Sequence, residues 1–81
     1  MISMADTSTG LKRIRESLGV SQEAVAKRMP NVKLRTYIRA EVGKTSVRYT
    51  TAQEILNAIN NLLQEAGRQP VTLDDLGLTI Y

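Results

Sequence analysis

Helix-stopping residues recur along this chain at short intervals, and they limit it to brief helices joined by tight turns. Gly19, Pro30, Gly43 and Gly67 each follow a stretch whose apolar residues repeat with helical spacing. A glycine ends a helix by taking up the left-handed conformation at little cost. A proline ends one because it lacks the N–H that the next turn requires. At Pro30-Asn31 the gap between two such stretches is so short that the helices must cross at a steep angle.

The first helix is expected over residues 9–18, with Ser8 or Thr9 as N-cap and Leu11, Ile14 and Leu18 as one apolar stripe. Ser21 caps a second helix that opens with Gln22 and Glu23 and buries Val25, Ala26 and Met29. The third is expected over 33–42 and stops at Gly43. At 100° per residue, Tyr37 and Ala40 fall on one side of it, and Arg35 and Arg39 on the opposite side. Leu34 and Ile38 lie on the flank nearer the arginines. The fourth and longest helix opens with a capping box, either Thr51 with Glu54 or Thr50 with Gln53. Its stripe is Tyr49, Ala52, Ile55, Leu56, Ile59, Leu62, Leu63 and Ala66. Thr72 then caps a short turn ending at Leu76, while Leu78, Ile80 and Tyr81 carry no readable pattern.

Composition removes most other solutions. With 81 residues, no cysteine and no histidine, the chain has room for a single domain and no disulfide, thiolate or imidazole to staple it. Helix packing must hold the fold. No glycine-rich phosphate loop, metal-ligand spacing or nucleophile–base pair stands out, so the expectation is no enzyme, no metal and no cofactor. Residues 1–10 lack the pattern of a signal peptide, and no apolar run approaches the roughly 18 residues of a membrane span. A cytoplasmic protein with no membrane partner is expected.

Charge is unevenly placed. Between Leu11 and Arg48 ten basic residues face three acids, a net +7, whereas Tyr49 to Tyr81 carries one arginine against four acids. A field of that shape draws a polyanion to one side of the molecule.

The stretch LKRIRESLGVSQEAVAKRM, followed by VKLRTYIRAEVGK, resembles the lambda-repressor-like helix-turn-helix family, also called the xenobiotic-response-element type. The Leu-Gly-Val-Ser-Gln-Glu junction leading into Ala26, expected at the crossing of two helices, is its most specific element. The likeness covers roughly residues 11–60 and, more weakly, the TLDDL turn. It departs where Pro30-Asn31 replaces the family's turn glycine with an added residue, and in the greater length of the fourth helix. The implied fold is all-α, a compact four- to five-helix helix-turn-helix domain. Residues 1–8 are expected to be a flexible lead, 9–67 the DNA-binding domain, and 68–81 a short helical turn and apolar tail, a candidate dimerisation element.

The implied function is a sequence-specific regulator, a repressor, binding double-stranded DNA as a homodimer with helix 33–42 in the major groove. Lys33, Leu34, Arg35 and Arg39 are then the candidate base readers, since an arginine fork can bond guanine O6 and N7 together. Leu34 or Ile38 would suit a thymine methyl. Gln22, Lys44 and Arg48 are the candidate phosphate contacts, which set register rather than sequence preference. The resemblance also implies that Arg15 pairs with Glu41. A second class of function, an antitoxin-like or adaptor module that binds a protein partner through its apolar C-terminal segment, predicts weak DNA binding with a shallow salt dependence. A basic amphipathic helix lying on a membrane fits poorly, because the arginines stand opposite tyrosine and alanine rather than a broad apolar face.

Overall fold

A computed structural model describes residues 9–43 and 45–81, so Ser8 and Lys44, two of the expected cap and contact residues, lie outside the described residues. Five helices follow in order: α1 (Gly10–Leu18), α2 (Gln22–Ala26), α3 (Leu34–Val42), α4 (Tyr49–Glu65) and α5 (Leu73–Leu76).

The caps explain most of these boundaries. Thr9 Oγ1 accepts the Lys12 N–H at 3.1 Å and donates to the Glu41 carbonyl at 2.8 Å, so one hydroxyl starts α1 and ties it to α3. Gly19 closes α1 at φ 71°, and Gly43 closes α3 at φ 81°. Ser21 Oγ accepts from Ala24 N at 3.0 Å and starts α2. That helix ends at Ala26, a turn sooner than its apolar stripe implied. Val25 and Met29 are buried, whereas Ala26 is only half-buried beside Leu34 in an open groove between α2 and α3. The side chain sealed in the core is thus Val25, not Ala26.

The added residue in the turn has its own support. Asn31 donates its backbone N–H and its Nδ2 to the Glu54 carboxylate of α4, at 2.7 and 3.3 Å. Glu54 therefore clamps the α2–α3 connection instead of closing a capping box. α4 begins at Tyr49 with Arg48 as N-cap, so Thr50 and Thr51 lie within its first turn and neither expected box forms. Tyr49 and Ala66, assigned to the stripe, are exposed, while Ala58 joins Ala52, Ile55, Ile59, Leu62 and Leu63 on the buried face. The stripe drifts because helical period alone cannot say where neighbours cease to cover it.

Leu11, Val25, Tyr37, Ala52, Ile55, Ile59 and Leu76 are completely buried, so α1, α2, α3, α4 and α5 all contribute to one core. Residues 68–81 close it from below. Asn60 holds Val71 through Val71 N→Oδ1 at 2.8 Å and Nδ2→Val71 O at 3.1 Å. Asp75 Oδ2 accepts from the Thr72 N–H and hydroxyl, at 2.8 and 3.0 Å, which fixes α5. The chain then runs beside the α3–α4 connection. Val47 N donates to Thr79 O at 2.8 Å and Tyr81 N to Val47 O at 3.1 Å, a parallel bridge between Val47 and Ile80. No helix among the described residues is long and apolar enough to cross a membrane.

Candidate nucleic-acid interface

α3 is held from one side and open on the other. Its inner face carries Tyr37 and Ala40, both buried, and its outer face carries Arg35 and Arg39, both exposed. Residues four apart on a helix share a face, so the two guanidinium groups stand one turn apart on the same stripe.

What orients that stripe is the carboxylate of Glu41, 3% exposed and satisfied from three elements. Arg15 of α1 grips it with two bonds, Nε→Oε2 at 2.6 Å and Nη2→Oε1 at 3.1 Å. Gln22 of α2 donates Nε2 to Oε1 at 2.9 Å. Tyr37, one turn back on α3, donates its hydroxyl to Oε2 at 2.8 Å. Arg15 also donates Nη1 to the Val20 carbonyl at 2.8 Å, linking the pair to the α1–α2 turn. A buried ion pair endures when its remaining donors and acceptors are satisfied. Here they are: no buried side-chain polar atom among the described residues lacks a partner. The Arg15–Glu41 pairing implied by resemblance is present, and its extension to Gln22 and Tyr37 went unread.

Burial pushes the Glu41 carboxyl up, but the bonds from Arg15, Tyr37 and Gln22 and the Arg15 charge outweigh it and hold the group below the ordinary carboxylate range. Burial, with the Glu41 bond and charge, drives the Tyr37 phenol far above its usual value, and the Glu41 bond raises Arg15. A depressed carboxylate contributes stability that is complete above its unfolded value, near 4.5, and is lost as pH falls through the lower folded value. Glu65 and Asp75 shift the same way but are exposed, where such pairs add little. The denaturant midpoint should therefore stay level from about pH 7 to about pH 5 and decline below about pH 4.5. Glu41→Gln should remove most of that decline; an unchanged acid limb in Glu41→Gln would place the titrating group elsewhere.

A match to the helix-turn-helix family model covers residues 11–66, more than half of the chain. The chain belongs to the lambda-repressor-like helix-turn-helix family. No curated protein and no solved structure matches it. Members of this family are DNA-binding transcription regulators, and the five-helix architecture agrees with that membership. In a helix-turn-helix protein of this kind α2 and α3 are the motif itself, and α3 is its second helix.

The expected contact residues take different positions around that motif. Lys33 is the N-cap of α3 rather than its first residue, and it is exposed with no side-chain cap bond. Leu34 opens α3 half-buried, packed at the groove with Ala26 and Met29. Gln22 opens α2 half-buried, with one amide hydrogen spent on Glu41. Arg48 caps α4 on the surface, its Nε donating to Tyr81 Oη at 3.4 Å. Arg39 and Arg48 come together in a cleft of about 270 Å³ that also takes in Thr36, Ser46, Thr51 and Tyr81. Sequence reasoning missed Tyr81 there. Its signal was the β-prone Thr79-Ile80-Tyr81 run, whose pairing partner near Val47 is remote in sequence. Among the described residues no cluster of carboxylates is placed to hold a metal ion.

Proposed function

We propose that this chain is a sequence-specific repressor that reads the major groove with α3, acting as a homodimer on a two-fold symmetric site. The observation that carries the reading is the pair Arg35 and Arg39, exposed one turn apart on α3 and opposite the buried Tyr37 and Ala40. Lys33, at the start of the same helix, adds a cation where base edges would be met. Leu34 and Ile38, both half-buried on the flank of α3, keep enough exposure to meet a thymine methyl.

Phosphates would be held on either side. Gln22 retains a second amide hydrogen beyond the one on Glu41, and Lys44 and Arg48 follow α3 in the chain. One module of this size buries a small interface with DNA, so two copies reading half-sites about one turn apart supply affinity that one lacks. The buried apolar side chains of α4 are not available to such a dimer, which leaves the exposed Val42, Tyr49 and Tyr81, with the partly exposed apolar residues of the 71–80 segment, as its candidate apolar contacts.

Selection of bound fragments from random duplex DNA tests the reading, and a palindromic consensus is the expected product. On that consensus Arg35→Ala should cost about 1–3 kcal/mol while binding to unrelated duplex stays nearly unchanged. An equal loss on every sequence would make Arg35 a phosphate contact, and a selection that enriches nothing would remove sequence specificity altogether.

A further inference from the structure

The side chain of Tyr81 is 73% exposed, yet the backbone beside it is fixed. The two bonds between Val47 and residues 79 and 81 hold it against the α3–α4 connection, on the rim of the cleft that contains Arg39 and Arg48. No Asp or Glu side chain among the described residues lines that cleft; Thr36, Ser46 and Thr51 add hydroxyls to the two guanidinium groups. A site of that make-up repels cations and favours an anion that only accepts hydrogen bonds.

The Tyr81 hydroxyl has one role already assigned. It accepts from Arg48 Nε at 3.4 Å, so its own hydrogen is left to donate elsewhere. Arg39 belongs at once to the cleft and to the outer stripe of α3, which makes the cleft continuous with the face that carries Arg35. A phosphodiester, acceptor-only and singly charged, on a strand lying along that face matches both properties.

We propose that Tyr81 is a contact to the DNA backbone, its hydroxyl donating to a phosphate oxygen seated between Arg39 and Arg48. The inference rests on duplex binding through α3 and extends the interface to a segment outside the helix-turn-helix motif.

The test compares wild type with Tyr81→Phe on a short random-sequence duplex, by fluorescence anisotropy across a salt series. An exposed side chain permits this change without unfolding, which circular dichroism checks. Tyr81→Phe should bind about 3- to 10-fold more weakly at every salt concentration, the net scale of one ordinary hydrogen bond, since this one is solvent-exposed. Its salt slope should not change, because no cation is lost. Arg48→Ala should flatten the slope by about 0.9, one phosphate's worth. Tyr81→Phe should still weaken binding when built on Arg48→Ala.

Equal affinity of Tyr81→Phe and wild type overturns the proposal. So does an effect that vanishes in the Arg48→Ala background, since the hydroxyl would then act only by steering Arg48. A change in sedimenting mass would make Tyr81 a contact between copies instead. Inorganic phosphate, at matched ionic strength, provides a last arm: stabilisation of wild type but not Tyr81→Phe, with identical duplex binding, would mark a free-anion site. If wild type itself shows no salt-dependent binding, the DNA reading fails before any variant is compared.

Discussion

Glu41→Ala should lower the unfolding free energy by about 3–5 kcal/mol, the cost of removing one partner from a buried ion pair. A domain of this length holds only roughly 4–12 kcal/mol in total, so the variant should sit near its unfolding transition at room temperature. The loss has several parts. Arg15, whose side chain is 13% exposed, keeps its bond to the Val20 carbonyl but loses the carboxylate it is paired with. The Tyr37 hydroxyl, in a side chain with no exposure, loses its acceptor. Gln22 loses its link to α3. Denaturant unfolding followed by circular dichroism measures the change. Arg15→Ala added to Glu41→Ala should cost much less than the sum of the two single changes, because the stranded cation is then gone. Simple additivity in that cycle would refute the pairing as the origin of the loss.

The same substitution should reach DNA binding without touching DNA. α3 meets α1 and α2 through this carboxylate, and the tilt of the outer arginines follows from where Glu41 is anchored. Conditions that keep Glu41→Ala folded should still show weakened binding to both selected and random duplex, unlike the sequence-selective loss expected of Arg35→Ala.

Legibility of this chain followed the range of the interactions concerned. Thr9 and Ser21 as caps, Gly19 and Gly43 as stops, and the opposition of Tyr37 to Arg35 and Arg39 are local, and helical geometry suffices to read them. The errors came where a distant segment intervened. Glu54 looked like a capping partner for Thr51, but Asn31 captures it, because the long α4 passes beneath the α2–α3 turn. Tyr49 fits the stripe by periodicity, yet nothing covers the start of α4 there. Ala26 is expected to be buried at the crossing, but it is only half-buried, lining a groove between α2 and α3 with Leu34. Of the candidate interface, the α3 stripe was readable and the cleft was not. Its far wall depends on a parallel bridge between residues more than thirty positions apart, which no local pattern encodes.

Gly10→Ala should be the other severe change, and its reason differs from that of the remaining glycines. Gly19, Gly43, Gly67 and Gly77 occupy positive φ, whereas Gly10 does not. Backbone conformation therefore gives no reason for glycine at the start of α1. Space does. A Cβ on Gly10 would lie 1.9 Å from the Asp75 carbonyl oxygen and 3.3 Å from the Leu76 carbonyl carbon. Both are backbone atoms, so no rotamer change relieves the clash, and α1 and α5 must separate. Leu76 of α5 is completely buried, so separation opens the core. Overpacking of this kind costs about 1–3 kcal/mol and at times more. The better helix propensity of alanine offsets at most about 1 kcal/mol, and less at a first helical position. For a domain of this size each 1 kcal/mol moves Tm by about 4–8 °C, so with the cost at the upper end of that range, about 2–3 kcal/mol, a drop of roughly 8–24 °C is expected. Gly67→Ala is the control: it has the left-handed φ but nothing within 4 Å of the added carbon, so its cost is backbone strain alone. That strain is about 1–2 kcal/mol. If the two variants melt together, the α1–α5 approach is looser than the distances require. If Gly10→Ala melts well below Gly67→Ala and also loses duplex affinity as strongly as Tyr81→Phe, displacement of α5 has carried the 78–81 segment away from Val47. The close approach at Gly10 would then set the position of Tyr81.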